Sequence, residues 1–398
     1  MLGVATAIIG RTAGRPNPRR PAATERQHLY LVLPDTKDGV AFHKVDMDDD
    51  LDGDTAAESG ALERLPEPPV LRIEHQNMRD FSAMGRNIIG MGFGTRWSRN
   101  DEGRDKGDTL TFDTRTAALA IMPDLPEGVR DHPVEVAVPV GNLLYVIEGG
   151  SPLVRPWEDG DKFCMGLHCL KLDEQEDDAG NKDRWRWWED LSGYSSRRWL
   201  WSSHPEMLPL SGFGIRAHAL HPVGRAFFVS VNCNYVRGDR GRGTFSYNTA
   251  HYDAGLRAWV GLHEDAEGWR PDGYLCSCDV PRLGRCAGAA PGWKLGKEKL
   301  FLEDPAERHV GAKLVDMGGD GTFCLVEIVM LDADGEKCVL RLTTFRVKYG
   351  DDDGELTTTD RRPTRSIGAT LIGKHSGCEH PMQRQDLLAI GGPTCPLV

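Results

Sequence analysis

No stretch of this 398-residue chain approaches the roughly 18 consecutive apolar residues that cross a bilayer as a helix, so a soluble protein with no membrane partner is expected. It has no Asn-x-Ser/Thr acceptor, and its ten cysteines are scattered. That pattern fits free, mostly buried thiols in a reducing compartment better than a secreted disulfide framework. A basic face is missing as well: the net charge of -12 argues against a binder of phosphate backbones, and nucleic acid is not an expected partner. There is no Gly-x-Ser-x-Gly elbow, no His-Glu-x-x-His pair and no Walker loop, so no sequence motif asks for hydrolase, metalloprotease or nucleotide chemistry. Patterns for long amphipathic helices are scarce, which leaves a mostly β chain.

What the chain does have is turns, with Gly 46 and Pro 24. Between Arg308 and Arg362 they delimit one meander: Val310 to Asp316, Thr322 to Leu331, Val339 to Tyr349 and Leu356 to Asp360 are strand-like, separated by Gly318-Gly319-Asp320-Gly321, Asp334-Gly335 and Asp353-Gly354. Four short strands make a curled antiparallel sheet that cannot bury both faces alone, so it asks for neighbours like itself. Similar units open near Leu29, Phe81, His132, Gly214 and Ala250. The third is closed by Trp185, Trp187 and Trp188, and Pro-rich phrases end the first two, Leu65 to Pro69 and Met122 to Pro126. The mean spacing, about fifty residues, is that of kelch-type blades. The expected fold is all-β: a kelch-like β-propeller of six imperfect four-stranded blades in one domain over 29–368, with an irregular tail over 369–398.

Residues 1–28 stand apart, with Arg11, Arg15, Arg19, Arg20 and Arg26 against the single acid Glu25. A disordered basic tail is the preferred reading and a transit peptide the alternative, because the stretch is poor in Ser and broken by Pro16, Pro18 and Pro21. The cytoplasm or nucleus is expected accordingly, or a plastid or mitochondrion if the stretch is a transit peptide.

Several phrases together resemble one family: Leu29-Tyr-Leu-Val-Leu, Leu65-Pro-Glu-Pro-Pro-Val, Phe112-Asp-Thr-Arg-Thr, His251-Tyr-Asp with Ala258-Trp-Val-Gly-Leu, Leu275-Cys-Ser-Cys-Asp-Val, and Arg308-His-Val-Gly-Ala with Phe323-Cys-Leu-Val-Glu. The chain is similar over roughly Leu29 to Arg362 to the plant proteins, expanded in grasses, that carry domain of unknown function 1668. The resemblance implies a kelch-like or F-box-associated-like β fold and no established activity, cofactor or catalytic residue. Two departures stand out. Asn248-Thr249 runs straight into Ala250-His251 where family members place about twenty further residues, roughly a strand or more at usual lengths, so the fourth unit is expected to be incomplete. The chain after Ser366 is also unlike the family's ending, and a ring whose terminal strands pair badly is expected to lose stability. No F-box-type helix precedes Leu29, so a role in protein turnover is expected to need an adaptor.

Candidate chemistry is sparse, and each candidate has a plainer reading. Asp48, Asp50, Asp52 and Asp54, with Gly53, fit the opening of a calcium loop, but its twelfth position is Ser59, with Glu58 one place early, and a solvated acidic loop is the simpler account. Cys276, Cys278 and Cys286 near His263 offer zinc-ligand atom types without a second hook, and Cys276 and Cys278 fall on one face of a strand, as packing residues would. Gly90-x-Gly92-x-Gly94 precedes a charged loop instead of a helix and reads as a loop. His218, His221, His251 and His263 with Asp253 and Ser230 are atoms for an acid–base site whose spacing fixes no geometry. No metal or other cofactor is therefore expected.

The Trp/Arg-rich segment is the best candidate for contact with another protein. Trp199 and Trp201 with Arg197 and Arg198 have the composition of interface anchors, against the alternative that the rings pack between blades. The reading that follows is a monomeric, non-catalytic protein-interaction module. Its rivals are a small-ligand binder or enzyme at the central mouth, where loops of several blades converge, and a degenerate copy that does little.

Overall fold

The computed structural model describes residues 6–12, 26–35, 39–47, 62–75, 78–92, 108–131, 134–148, 166–173, 198–204, 215–224, 226–231, 249–264, 271–281, 291–302, 304–318, 321–331, 337–350 and 354–370. Among them the only helix is the five-residue α1 (Glu127–Asp131), and the rest of the regular structure is strand. No helix there is long and apolar enough to cross a membrane.

Three sheets have four antiparallel strands each. The first joins β1 (Thr6–Thr12), β2 (Arg26–Asp35), β3 (Gly39–Asp46) and β5 (Leu71–Glu74) in that order, with β4 (Glu63–Arg64) left for a distant partner. The second joins β6 (Met78–Met84), β7 (Asn87–Gly92), β8 (Thr109–Asp113) and β9 (Ala118–Ile121). The third joins β10 (Val134–Val140), β11 (Leu143–Glu148), β12 (Leu167–Asp173) and β13 (Arg198–Ser203). Local chemistry sets their hairpins. Gly85 and Gly141 take positive φ, 59° and 64°, at the first position of two-residue turns, where a side chain would be strained. The β8–β9 turn is closed by Asp113, whose Oδ1 accepts the N–H groups of Arg115 and Thr116.

The remaining strands form one continuous sheet. Its path is β15 (Phe227–Val231), β14 (Ile215–Leu220), β16 (Thr249–Asp253), β17 (Ala258–Glu264), β18 (Pro271–Asp279), β19 (Trp293–Lys299), β23 (Leu356–Thr359), β22 (Lys337–Tyr349), β21 (Thr322–Met330) and β20 (Arg308–Asp316). Two parallel junctions weld units together here, β14 to β16 at His218↔Thr249 and β19 to β23 at Gly296↔Leu356. The long β22 carries β23 on its second half and β24 (Arg365–Thr370) on its first, and β24 in turn pairs in parallel with β4. No sheet closes on itself among the described residues. The opening strands nevertheless lie against one another in the order β1, β6, β10, β14, β16, β20, and β20 returns to β1.

Apolar side chains fill the spaces between sheets. Leu29, Leu31 and Leu33 of β2 pack with Val45 and Met47 against Cys324, Val326 and Ile328 of β21 and Leu340 of β22, joining the start of the chain to its last unit. Met84, Ile89 and Met91 pack against Val134, Leu144 and Val146 between the second and third sheets. Because successive strand residues point to opposite faces, β21 serves two cores: Phe323 and Leu325 lie in the cluster shared with Val260, Leu262 and Leu275.

The sequence reading holds for the all-β class and for the meander after Arg308, whose four expected strands are β20 to β23. It differs in several places. The unit expected to open near Phe81 begins earlier, with the hairpin β6–β7 from Met78. The third sheet is closed by β13, which carries Trp199 and Trp201, while Trp185, Trp187 and Trp188 lie outside the described residues. Of the fourth unit two strands are described, β14 and β15. Within the expected basic tail, the seven-residue β1 pairs along β2 from Thr6↔Val32 to Thr12↔Arg26. At the other end β24 runs to Thr370, just beyond the expected domain limit.

Two arginines near the end of the last unit clasp the first. Arg365 donates to both carboxylate oxygens of Glu63 at 3.1 and 2.8 Å and to the carbonyl of Asp46 at 2.7 Å. Arg362 reaches the carbonyl of Met47 at 3.4 Å. Replacing Arg365 by Ala should cost about 1–2 kcal/mol in urea unfolding, the usual loss when a partly buried, charge-assisted bond is removed. The exposed Arg346→Ala is the control and should change stability by less than about 0.5 kcal/mol.

Candidate functional site at the opening strands

Each opening strand pairs with its own unit along one edge, and at three of the seams a polar side chain ties it to the next opening strand. Glu135 of β10 accepts the N–H of Ile215 at 2.8 Å, where the β14–β15 ladder shifts register. His218 of β14 meets the hydroxyl of Thr249 in β16 at 3.3 Å. His251 of β16 donates from Nε2 to the carbonyl of Leu314 in β20 at 3.1 Å. Lys313, beside Leu314, is fully buried.

This setting decides the charge states. Burial pushes the His218 imidazole down to about 3, and the cation of Lys313 and the neighbouring His251 add to the shift. His251 is also lowered, first by burial, against the opposing pull of Asp316 and its bond to Leu314. Glu135 is raised by burial, with the Ile215 N–H working the other way. A base with a pKa near 3 has little tendency to take a proton at neutral pH, so His218 is poorly matched to general-base work. The geometry of the set is that of ties between strands.

The other histidines and acids singled out in the sequence do not converge on this set. His263 bonds Asp272 across β17–β18 at 2.7 Å; burial raises the Asp272 carboxyl, and that bond together with the Tyr274 N–H outweighs it and leaves it lowered. Asp253 closes the β16–β17 turn by accepting the Leu256 N–H at 2.7 Å, the same device as Asp113 in the second sheet. His221 accepts the N–H of Val223 at 3.2 Å and lies beside Phe228. Cys276 and Cys278 are buried in one cluster with Ala217, Ala219, Ala250 and Trp259, and burial pushes the Cys278 thiol up to about 12. Among the described residues no three His, Cys, Asp or Glu side chains are grouped to hold a metal ion. Asp48, Asp50, Asp52, Asp54, Cys286, Gly94 and Arg197 lie outside the described residues. Gly90 is packed where an added Cβ would come within 2.9 Å of both Met78 Sδ and the Phe81 ring.

Trp199 and Trp201 are half-buried against the core between the second and third sheets, and Trp201 donates its indole N–H to the carbonyl of Pro123 at 3.2 Å. The exposed residue between them is Leu200. Arg198 pairs by its backbone with Asp173.

Two polar clusters had no signal in the sequence. In one, Glu327 sits at 0% exposure in the middle of the apolar β21, facing Ala312 and Arg341 in register, with His309 Nδ1 3.6 Å from its Oε1. Burial raises its carboxyl to about 7, against the nearby guanidinium groups of Arg341 and Arg361 and with the help of Glu307. Arg341 is held by Glu307 at 2.7 and 2.6 Å. In the other, His168 lies between Ser203 and Glu148, at 2.8 and 3.1 Å. Residues 20 and 35 positions apart meet only because three strands pair in one register, and spacing alone does not encode that.

These shifts have opposite consequences for stability. A base lowered on folding, such as His218, stabilises the fold above about pH 6.5, and that contribution is lost as the pH falls: about 2 kcal/mol by pH 5. An acid raised on folding, such as Glu327, contributes fully below about 4.5, and its contribution is lost as the pH rises through about 7, again about 2 kcal/mol between pH 5 and 8. Urea unfolding at pH 5 and pH 7.5 should therefore show His218→Asn gaining relative stability in acid. Glu327→Gln should lose it. Equal slopes for both variants and the parent would refute the assignment.

A family model described as a protein of unknown function, DUF1668, matches residues 26–251 and 248–366. The two pieces meet at 248–251, where a stretch of about twenty residues is expected to be missing and where β14 joins β16 in parallel. No curated protein matches the chain.

Proposed function

The chain belongs to the DUF1668 family, and from that premise we propose that it is a six-unit, kelch-like propeller serving as a protein-interaction module. The cyclic order of the opening strands supports the ring, and the four-stranded sheets support the unit. The polar groups between the opening strands speak for scaffold over chemistry, since their imidazoles are neutral and bonded across strands.

The observation that carries the interaction reading is the outer edge of the second sheet. There β9 pairs with β8 on one side, and among the described residues nothing pairs on the other. Its Leu119 is 45% exposed and its Ile121 85%, two residues apart and so on one face. An open edge with alternating exposed apolar residues is what an added strand requires: backbone groups to pair with and side chains to cover. The partner that fits is a protein segment in extended form with apolar residues at every second position.

Ile121→Asp tests this. The variant should keep the parent's far-ultraviolet spectrum and unfolding midpoint, since the site is exposed, yet lose at least about tenfold in retention of proteins captured by the parent. Hydrogen exchange of the β9 amides should slow in the parent on capture. Val326→Asp, which puts a charge into the first–last core, serves as the unfolded control. Identical capture by parent and Ile121→Asp, or capture of chaperones alone, would reject the edge-strand reading.

A further inference from the structure

The arrangement of Ser203, His168 and Glu148 supports more than packing. Ser203 is the last residue of β13 and is exposed. His168 stands directly opposite it on β12 and is buried, and Glu148 ends β11 with its side chain 13% exposed. The Ser203 hydroxyl is 2.8 Å from His168 Nδ1, and His168 Nε2 is 3.1 Å from Glu148 Oε2.

The proton positions follow from the chemistry of the three groups. An ionised carboxylate only accepts, so His168 carries its proton on Nε2 and donates it to Glu148. Nδ1 is then an acceptor, and Ser203 donates its O–H to it. That polarity, hydroxyl to base to carboxylate, is the relay by which a serine is made nucleophilic. A cross-strand Ser–His pair alone would account for the first bond but not for the way the carboxylate is fitted in. The Gly166 N–H donates to Glu148 Oε1 at 3.1 Å. An added Cβ at Gly166 would come within 2.7 Å of the carboxyl group, and one at Gly128 of α1 would overlap Oε2. Two chain segments therefore leave room for a carboxylate at this one place.

We propose that Ser203 and His168 are the nucleophile and general base of an acyl-transfer site on the rim of the third sheet, with Glu148 as positioning residue, acting on neutral carboxylic esters. This goes beyond the interaction reading and does not depend on it. Ser203 Oγ bonds to the acyl carbon while its proton passes to Nδ1. The proton then goes to the departing alkoxide as the C–O bond breaks, giving an acyl-serine and an alcohol. Water attacks the acyl-serine, passing its proton through Nδ1 back to Oγ, and the acid is released. Trp201 lies two residues before Ser203 on the same face of β13, so a half-buried aromatic wall adjoins the nucleophile and favours an apolar or aryl acyl group. The net charge of -12 disfavours anionic esters.

The probe is diisopropyl fluorophosphate, with the labelled residue mapped by mass spectrometry and turnover of an aryl butyrate ester followed in parallel. In the full chain the label should sit on Ser203, and Ser203→Ala should abolish both signals with an unchanged unfolding midpoint. His168→Gln should slow labelling by about 100-fold or more, the usual contribution of a general base. Glu148→Gln should slow it less and alter its pH profile. Because His168 is buried and its variant can fail to fold, Ser203→Cys provides the second arm: at this exposed position its thiol should react with iodoacetamide at least about tenfold faster than free cysteine at about pH 7, as a thiol beside a base does. Labelling away from Ser203, a rate unchanged in folded His168→Gln, or an unaccelerated thiol in the Ser203→Cys variant would each overturn the proposal.

Discussion

Each opening strand in this molecule has a hydrogen-bond partner of its own unit along one edge, and the other edge faces the opening strands of neighbouring units. Buried backbone polar groups left unpaired are costly, so the inner edges must be satisfied by neighbours. The solutions differ from seam to seam. A glutamate accepts an N–H between β10 and β14, a parallel ladder with a His–Thr contact joins β14 and β16, and an imidazole donates to a carbonyl between β16 and β20. The neutral charge state of the imidazoles is a by-product of that placement, because a group that joins strands inside an apolar core is desolvated.

The parts that were legible in the sequence are those whose turns and alternation are written locally. The stretch from Arg308 to Thr359 has both, and its strands fall where the pattern puts them. β19 reads Trp-Lys-Leu-Gly-Lys-Glu-Lys and buries little beyond Gly296, so it leaves no apolar pattern to find; its place is fixed by β18 and β23 on either side. Glu327 was invisible for the opposite reason, since one carboxylate in Thr322–Met330 does not disturb a strand that is apolar on both faces. Ser203, His168 and Glu148 depend on register, which a one-residue slip would destroy. The tryptophans near position 200 stood out by composition as contact residues, and in the structure both rings pack against the core between two sheets.

The join between the first and last units is built from several kinds of contact at once. Leucines of β2 share a core with β21 and β22, β24 pairs with β4, and Arg365 binds Glu63 and Asp46. β24 finds its place because the long β22 offers it an edge beyond the reach of β23. Apolar burial supplies the bulk of the attraction, and the arginine and the short ladder fix which residues face each other.

The direct parallel junction of β14 with β16 makes two neighbouring units share a seam through their opening strands alone. Tolerance to change is accordingly graded with distance from such a seam. Segments can be gained or lost in the strands away from the seam while the seam keeps its contacts, so descendants of a common ancestor would diverge first in those outlying strands and remain superimposable along the opening strands long after their outlines cease to match.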